Sequence, residues 1–178
     1  AEIERAKRKP TDSLDAYDHY LRGMDKVYQW TRQSIAEALA LFHQAIRVDP
    51  GYASAYGMAA YCYVQRKSYG WFVDRPEEVA EAVRLARQAA ALGKDDAVAL
   101  SKAAHAFASL IGDAESGVAF IDQALQLNPN LAAGWYVSGW LRIFFGEPAS
   151  AIGHLARAVR LSPFDPFIFK VHAGMAYA

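Results

Sequence analysis

The sequence predicts an all-α fold, a right-handed solenoid in which antiparallel helix pairs stack one on the next. The first observation is a repeat of 34 residues: Pro163 follows Pro129 at that distance, as Leu155 follows Ile121. The second is that small residues recur at fixed places in each unit, where two helices approach most closely. The third is a proline or glycine at the end of each full unit, where it ends the second helix. Such a period is typical of arrays whose units bury their apolar faces only against neighbours.

Four full units and a truncated fifth account for most of the chain. We place them at about residues 13–52, 53–96, 97–131, 132–165 and 166–178, after a polar linker over residues 1–12. The sequence does not begin with methionine, and its last residues still have a helical pattern. We therefore expect a fragment of a longer protein.

The first unit is stretched by about two residues relative to the fourth. Its first helix is predicted over residues 14–30, with Ser13 or Thr11 as N-cap, because a hydroxyl satisfies free N–H groups of the first turn. The second helices of the two units share one spacing of small and large apolar residues: Ala38, Phe42, Ala45 and Pro50 in the first, and Ala151, Leu155, Ala158 and Pro163 in the fourth.

The second unit contains about ten extra residues between its helices, close to residues 69–76. Pro76 followed by Glu77 indicates a helix start, since proline suits the first turn and acids interact favourably with the positive end of the helix dipole. Gly93 suits a left-handed residue after the second helix. The third unit has one extra residue, which we place at the Gly112–Asp113 turn.

Composition limits the classes of function. The 178 residues are 53% hydrophobic and 21% charged, which is typical of a globular chain, and the formal net charge is zero. A nucleic-acid-binding domain is expected to be strongly basic, so we expect no nucleic-acid partner. No apolar run has the length of about 20 residues that crosses a bilayer, and the charged N-terminus has no secretory signal pattern. With a single cysteine, Cys62, these features predict a cytoplasmic location and no membrane partner.

The sequence contains no pattern of a catalytic or cofactor site. It has neither the glycine-rich loops that hold phosphates nor the G-x-S-x-G turn of a serine nucleophile. Its five histidines do not have metal-ligand spacing, and nothing around Cys62 indicates a reactive thiolate. We therefore expect this chain to have no enzyme activity, no metal and no cofactor.

Residues 14–178 resemble the tetratricopeptide (TPR) repeat family, which implies a protein-interaction scaffold. Three runs also look like the C-terminal repeat region of bacterial class III adenylate/guanylate cyclases: LDAYDHYLRG at residues 14–23, AIRVDPGYA at 45–53 and LSPFDP at 161–166. Similar regions follow winged-helix domains in some bacterial transcriptional regulators. The resemblance implies a bacterial signalling parent, with this chain as the non-catalytic regulatory region of a cyclase. The alternative is the effector or oligomerisation domain of a winged-helix regulator.

A protein or peptide partner is expected in the concave groove, which the first helix of each unit lines. Helical spacing selects the residues that point into it. The predicted groove residues are Tyr61, Gln65, Lys102, His105, Ser109, Tyr136, Trp140, Phe144 and Lys170. The aromatic members form either a patch for an apolar anchor or a surface that packs against the next helix.

Two further surfaces are predicted. Tyr69, Trp71 and Phe72 of the insertion either fold back onto the array or form a contact patch, since exposing a cluster of large apolar side chains is unfavourable. The fifth unit carries apolar residues that we expect to be exposed at the end of the array: Phe167, Phe169, Val171 and Met175. Repeat arrays need a polar cap at such an end, so we expect self-association through it.

Overall fold

Helix pairs make up the architecture of the protein. The computed structural model describes residues 11–73 and 75–178; residues 1–10 of the predicted linker and Asp74 of the insertion lie outside the described residues. In that part of the chain nine α-helices follow one another: α1 (Leu14–Gln29), α2 (Arg32–Val48), α3 (Ala53–Ser68), α4 (Arg75–Leu92), α5 (Ala97–Ala106), α6 (Ala114–Leu127), α7 (Ala132–Phe144), α8 (Pro148–Leu161) and α9 (Ile168–Tyr177).

Consecutive helices pack in antiparallel pairs, and the pairs stack into a solenoid. Helix α1 packs on α2, α3 on α4, α5 on α6 and α7 on α8, while α9 packs on α7 and α8. The odd-numbered helices also contact one another, α3 with α5, α5 with α7 and α7 with α9, and form the inner layer. The predicted all-α solenoid is confirmed.

Local sequence explains where the helices begin. Ser13 is the N-cap of α1, and its side chain accepts a hydrogen bond of 3.2 Å from the backbone N–H of Ala16. Thr31 and Ser34 form a reciprocal capping box at the start of α2. Asp96 accepts hydrogen bonds from the backbone N–H groups of the first turn of α5. These side chains satisfy backbone donors that the helices leave unpaired.

The repeated small residues lie where the helices cross. Ala38, Ala45 and Ala151 are completely buried, as are the large side chains of Phe42 and Leu155 between them. Gly139 of α7 comes so close to α8 that a β-carbon placed on it would lie 2.5 Å from Leu155 Cγ. Backbones packed this closely exclude larger side chains, which explains the repeat pattern.

The extra residues lengthen helices and adjust turns. Helix α1 has 16 residues where the corresponding α7 has 13, and it ends at Trp30, whose φ of 51° is left-handed. In the third unit, α5 continues into a π-helical turn at Phe107–Ile111 before Gly112. A π-helical turn takes up one extra residue without a break in the chain, so the extra residue lies before the predicted turn.

Candidate functional site

The inner layer surrounds a cavity of about 100 Å³. Side chains of all five odd-numbered helices line it, and the segment before α9 closes one side. The lining residues are Met24, Val27, Tyr28, Met58, Tyr61, Lys102, His105, Ala132, Ala133, Tyr136, Val137, Ala158, Ser162, Asp165, Phe167, Lys170 and Val171. The predicted groove is therefore a small cavity, partly open to solvent, in this structure.

A seam between the first and fifth units borders this cavity. Phe167 stacks on Tyr28 with ring centroids 5.6 Å apart, and it meets Trp30 edge-on at 4.1 Å. Lys170 Nζ lies 3.4 Å from the centroid of the Trp30 ring, in cation–π geometry. The first unit thus contacts the truncated fifth, and we call the contact of Tyr28, Trp30, Phe167 and Lys170 the seam.

The stretched first two units supply one side of the seam. The additional length of α1 carries Tyr28 and Trp30 to the fifth unit. From the insertion, Tyr69 meets the Trp30 ring edge-on at 5.4 Å and stacks on Trp71 at 4.9 Å. Trp71 and Phe72 are half-buried against the core of the first two units. The insertion therefore folds back onto the array, and its Tyr69 joins the aromatic surroundings of Lys170.

Lys102 is the main charged group of the α5 wall. Its Nζ lies 4.2 Å from the centroid of the Tyr61 ring. Among the described residues, no carboxylate oxygen lies within 4 Å of this ammonium group. Burial lowers the pKa of Lys102 to about 8, and the charge of Asp165 opposes this shift.

Lys170 of α9 faces the same cavity. Its Nζ donates a long hydrogen bond of 3.4 Å to Oε1 of Gln65, a buried side chain of α3. Burial lowers the pKa of Lys170 to about 7, the positive charge of Lys102 lowers it further, and Asp165 opposes both effects. The two lysines therefore repel each other. Asp165 is the one carboxylate among the described lining residues, and its negative charge opposes this repulsion.

His105 lies between the aromatic walls. Its ring centroid is 5.7 Å from that of Tyr61 and 6.4 Å from that of Tyr136. Burial, together with the charges of Lys102 and Lys170, lowers the pKa of His105 to about 3, so the imidazole is neutral at pH 7. Its Nδ1 is buried and has no hydrogen-bond partner within the described chain. This nitrogen is enclosed by the protein, so a molecule in the cavity reaches it only if the His105 ring turns.

The structure brings together most of the predicted groove residues. Tyr61, Lys102, His105, Tyr136 and Lys170 line the cavity, and Gln65 contacts Lys170.

Three predicted groove residues have other surroundings. The carbonyl of Ser109 accepts a hydrogen bond from Lys67 Nζ, away from the cavity. Phe144 is 68% exposed. Trp140 packs under α9, where a β-carbon on Gly174 would lie 3.2 Å from its ring and where Tyr177 is 6.3 Å away between centroids. The alternative of packing against the next helix therefore describes Trp140.

Sequence reasoning missed the seam, because Tyr28 and Trp30 lie outside the helical spacing used for the groove. It also missed Asp165 of the cavity lining. The available signal was the two extra residues of the first unit, which place an aromatic residue at the end of a longer helix. The expectation of a fully exposed apolar end was wrong for Val171, which is 8% exposed and packs on Leu155 and Ala158. Phe167 is drawn into the seam, whereas Phe169 remains 56% exposed.

Two other kinds of site are absent from the described residues. No group of three or more His, Cys, Asp or Glu side chains is arranged to hold a metal ion in residues 11–73 and 75–178. Within the same ranges, no helix combines the length and apolar character needed to cross a membrane. Burial raises the pKa of the Cys62 thiol to about 12, which keeps this side chain protonated.

A sequence relative of this chain is a bacterial regulator. The chain is similar to the transcriptional regulator HilA of Salmonella typhimurium, with 28% identity over 156 residues. The regulators of the same name from Salmonella typhi and Salmonella paratyphi A match equally. The match covers 85% of this chain and 27% of the regulator, so the chain spans about a quarter of the length of the curated relatives it matches. No protein-family model matches the chain.

The fold is similar to that of solved repeat proteins. A thermophilic TPR protein of Thermus thermophilus has a TM-score of 0.70 and 18% identity, covering 93% of this chain and 84% of its own. A tetratricopeptide repeat protein from Parabacteroides merdae has a TM-score of 0.51 and 15% identity, covering 93% of this chain and 59% of its own. At these identities the likeness concerns the fold alone: the chain has the tetratricopeptide-repeat fold.

Proposed function

We propose that this chain is the non-catalytic interaction and effector module of a bacterial transcriptional regulator. The observation that carries the proposal is the similarity to HilA along 85% of the chain, because it extends over nearly the whole solenoid. Of the two parents that the sequence resembles, a cyclase and a winged-helix regulator, this similarity favours the regulator. A cytoplasmic location belongs to the same proposal.

The arrangement of the solenoid supports an effector role. The cavity joins the first and last units through the seam, so a molecule bound inside contacts helices that are distant in sequence. Such a molecule stabilises the closed array by its differential affinity for the closed state. A change in closure alters the outer surface that a partner protein or a second subunit contacts.

A hybrid regulator tests the proposal. The 156-residue region of HilA that matches this chain is replaced by this chain, and transcription from a HilA-dependent reporter is measured in Salmonella. The matched controls are a hybrid with the TPR protein of Thermus thermophilus, which supplies the fold without the similarity, and a deletion of the region. We expect this chain to restore more reporter activity than either control. Equal activity of the two hybrids, or activity no higher than the deletion, contradicts the proposal.

A further inference from the structure

The inner cavity contains more positive than negative charge. Lys102 and Lys170 contribute two ammonium groups, whereas the only carboxylate of its described lining is that of Asp165. An ammonium group that is half-buried and has no paired anion is unfavourable, although a cation–π contact offsets part of its lost hydration. With both amines protonated, the described lining carries a surplus of one positive charge, which one negative charge neutralises. Because the pKa of Lys170 is about 7, entry of the anion also draws a proton onto that amine.

The walls of the cavity are mostly apolar and aromatic. Tyr61 and Tyr136 lie on opposite sides of His105, and Met24, Met58 and Val137 are among the lining residues. The volume of about 100 Å³ is smaller than the cavity of ~150 Å³ that admits benzene in another protein. The cavity thus accommodates a small apolar body and is too small for a peptide helix with its side chains.

His105 supplies polar contacts that a bare charge would not need. Its buried Nδ1 has no partner in the described chain, and a neutral imidazole donates from one nitrogen and accepts at the other. Since Nδ1 is enclosed by the protein, it donates a hydrogen bond to an anionic oxygen in the cavity only after the ring turns, in the tautomer protonated on Nδ1. A carboxylate accepts hydrogen bonds at two oxygens, which suits this donor together with an ammonium group.

We propose that the inner cavity is a binding site for a short-chain monocarboxylate, whose charge is held by Lys102 and Lys170 and whose alkyl part lies among the aromatic walls. A phosphate dianion does not match a surplus of one charge, and it has no apolar part to place against these walls. The proposal goes beyond the interaction function above and does not depend on it, since an effector module of another parent would bind the same ligand.

Calorimetric titration of the full 178-residue chain with butanoate at pH 7 tests this site. Butanamide, which has the same shape without the charge, is the matched control ligand. We expect butanoate to bind at least about tenfold more tightly, since hydrogen bonds to charged groups are typically worth that much or more. Equal affinity for the two compounds overturns the proposal.

Three variants assign the charge contacts. Lys102→Met and Lys170→Met each keep an unbranched chain and remove the ammonium group, and we expect each to weaken butanoate binding roughly ten- to hundredfold. Lys94→Met removes an exposed lysine of the turn before α5 and is expected to bind butanoate as the parent chain does. Circular dichroism checks that each variant is folded. Unchanged affinity in both cavity variants contradicts the assignment.

Proton uptake gives a second readout. An anion between Lys102 and Lys170 raises both lysine pKa values, so binding at pH 7.5 draws protons from the buffer. The titratable groups near the two lysines are Tyr28, Tyr61, Cys62, Tyr69, His105, Tyr136 and Asp165. Burial raises the pKa values of the tyrosines and of the Cys62 thiol and lowers that of His105 to about 3. The binding heat is therefore expected to vary with the ionisation enthalpy of the buffer, and to vary less in Lys170→Met.

Two other anions test which kind of molecule binds in the cavity. Tetra-alanine presents a peptide C-terminus, and inorganic phosphate presents an anion without an apolar part. Tighter binding of tetra-alanine than of butanoate would identify a peptide end as the ligand and overturn the small-molecule assignment. Tighter binding of phosphate would overturn the choice of a carboxylate.

Discussion

Two glycines of the fourth unit have opposite surroundings. A β-carbon on Gly139 of α7 would meet Leu155 Cγ at 2.5 Å, whereas one on Gly153 of α8 meets nothing within 4 Å. Both residues lie within helices, where alanine is intrinsically preferred to glycine. The surroundings therefore decide the sign of the same substitution at the two positions.

Gly139→Ala is expected to lower the free energy of unfolding by about 1–3 kcal/mol, because overpacking displaces the buried Leu155 side chain. Gly153→Ala, the matched control, is expected to raise it by about 0.5–1 kcal/mol. Urea denaturation of both variants measures the two effects. A gain in stability in both would show that α7 and α8 are less closely packed than described.

Trp140 and Phe144 lie on the same helix, but only Trp140 packs against a neighbouring helix. Trp140 lies under α9, while Phe144, one turn further along the same helix, is 68% exposed. Trp140→Ala is expected to lower the free energy of unfolding by about 2 kcal/mol, less than the ~3–5 kcal/mol for a fully buried aromatic side chain, because Trp140 is half-buried. Phe144→Ala is expected to change it by less than about 0.5 kcal/mol. Comparable stabilities of the two variants in urea would contradict the packing of α9 on Trp140.

The residues of the site differed in how far the sequence alone could predict them. Lys102, His105 and Tyr136 follow from helical spacing, because each lies on the inner face of a regular helix. The position of Trp30 does not follow from this spacing. It depends on the left-handed conformation of Trp30 after the end of α1 and on its contact with Phe167 of the fifth unit. Contacts between residues so distant in sequence leave no trace in local periodicity.

At the scale of single helices, Asp96 links two elements. Its Oδ1 accepts hydrogen bonds from Val98 N and Ala99 N at the start of α5, and its Oδ2 accepts one of 2.5 Å from Ser54 Oγ of α3. Asp113 caps α6 through Ser116 N, and within the described chain it has no corresponding bond to another helix. Asp96 therefore acts as both a cap and a contact between units.

Asp96→Ala is expected to lower the free energy of unfolding by about 2 kcal/mol, the upper end for an N-cap, because the contact with Ser54 is lost as well. Asp113→Ala is expected to lower it by about 1 kcal/mol. The difference is measured by thermal and urea unfolding of the two variants. Equal losses would show that the bond to Ser54 contributes nothing.

The helices themselves were predictable because each depends on local signals. Ser13 and Asp96 cap the helices they precede, and the predicted start near Pro76 agrees with α4 beginning at Arg75. The path of the insertion was left open, and the structure shows Trp71 and Phe72 half-buried against the core. That choice depends on whether the core has room for the rings, which the local sequence does not encode.

Across the whole molecule, the buried lysines couple stability to pH. Both have pKa values below the ordinary 10.5, so the unfolded chain binds more protons than the folded chain above about pH 7. Stability is therefore expected to rise with pH from about 7 to 9.5, below the range in which the tyrosines of the unfolded chain ionise. Above about pH 8.5 the Cys62 thiol, which ionises in the unfolded chain while burial raises its folded pKa to about 12, offsets part of this rise. Below pH 7 both lysines are charged in either state, and their contribution no longer changes.

The urea midpoint at pH 7 and pH 9.5 measures this coupling. Lys102→Met is expected to reduce the increase between the two values, because it removes one of the groups that titrate. Lys94→Met, an exposed control, is expected to keep the full increase. A midpoint that does not change with pH in the parent chain would contradict the burial of the two ammonium groups.

The sequence predicts the units of the array, but it does not predict that the first and fifth units meet. The 34-residue period defines each pair, but the curvature of the stack is the sum of small rotations between pairs. The truncated fifth unit was therefore expected to expose its apolar residues, yet Val171 is buried and Phe167 lies against Trp30.

The seam between Trp30 and Phe167 has a consequence for how this chain can vary in evolution. Open solenoids grow and shrink by gaining or losing whole units, because each unit contacts only its neighbours. Here one helix pair inserted between the first and fifth units would displace Phe167 from Trp30 by about 10 Å, the usual distance between packed helices, and the cavity would lose a wall. Duplication and deletion of units are therefore incompatible with the closed form. Divergence among relatives that retain it is expected as substitutions and as changes in loop length.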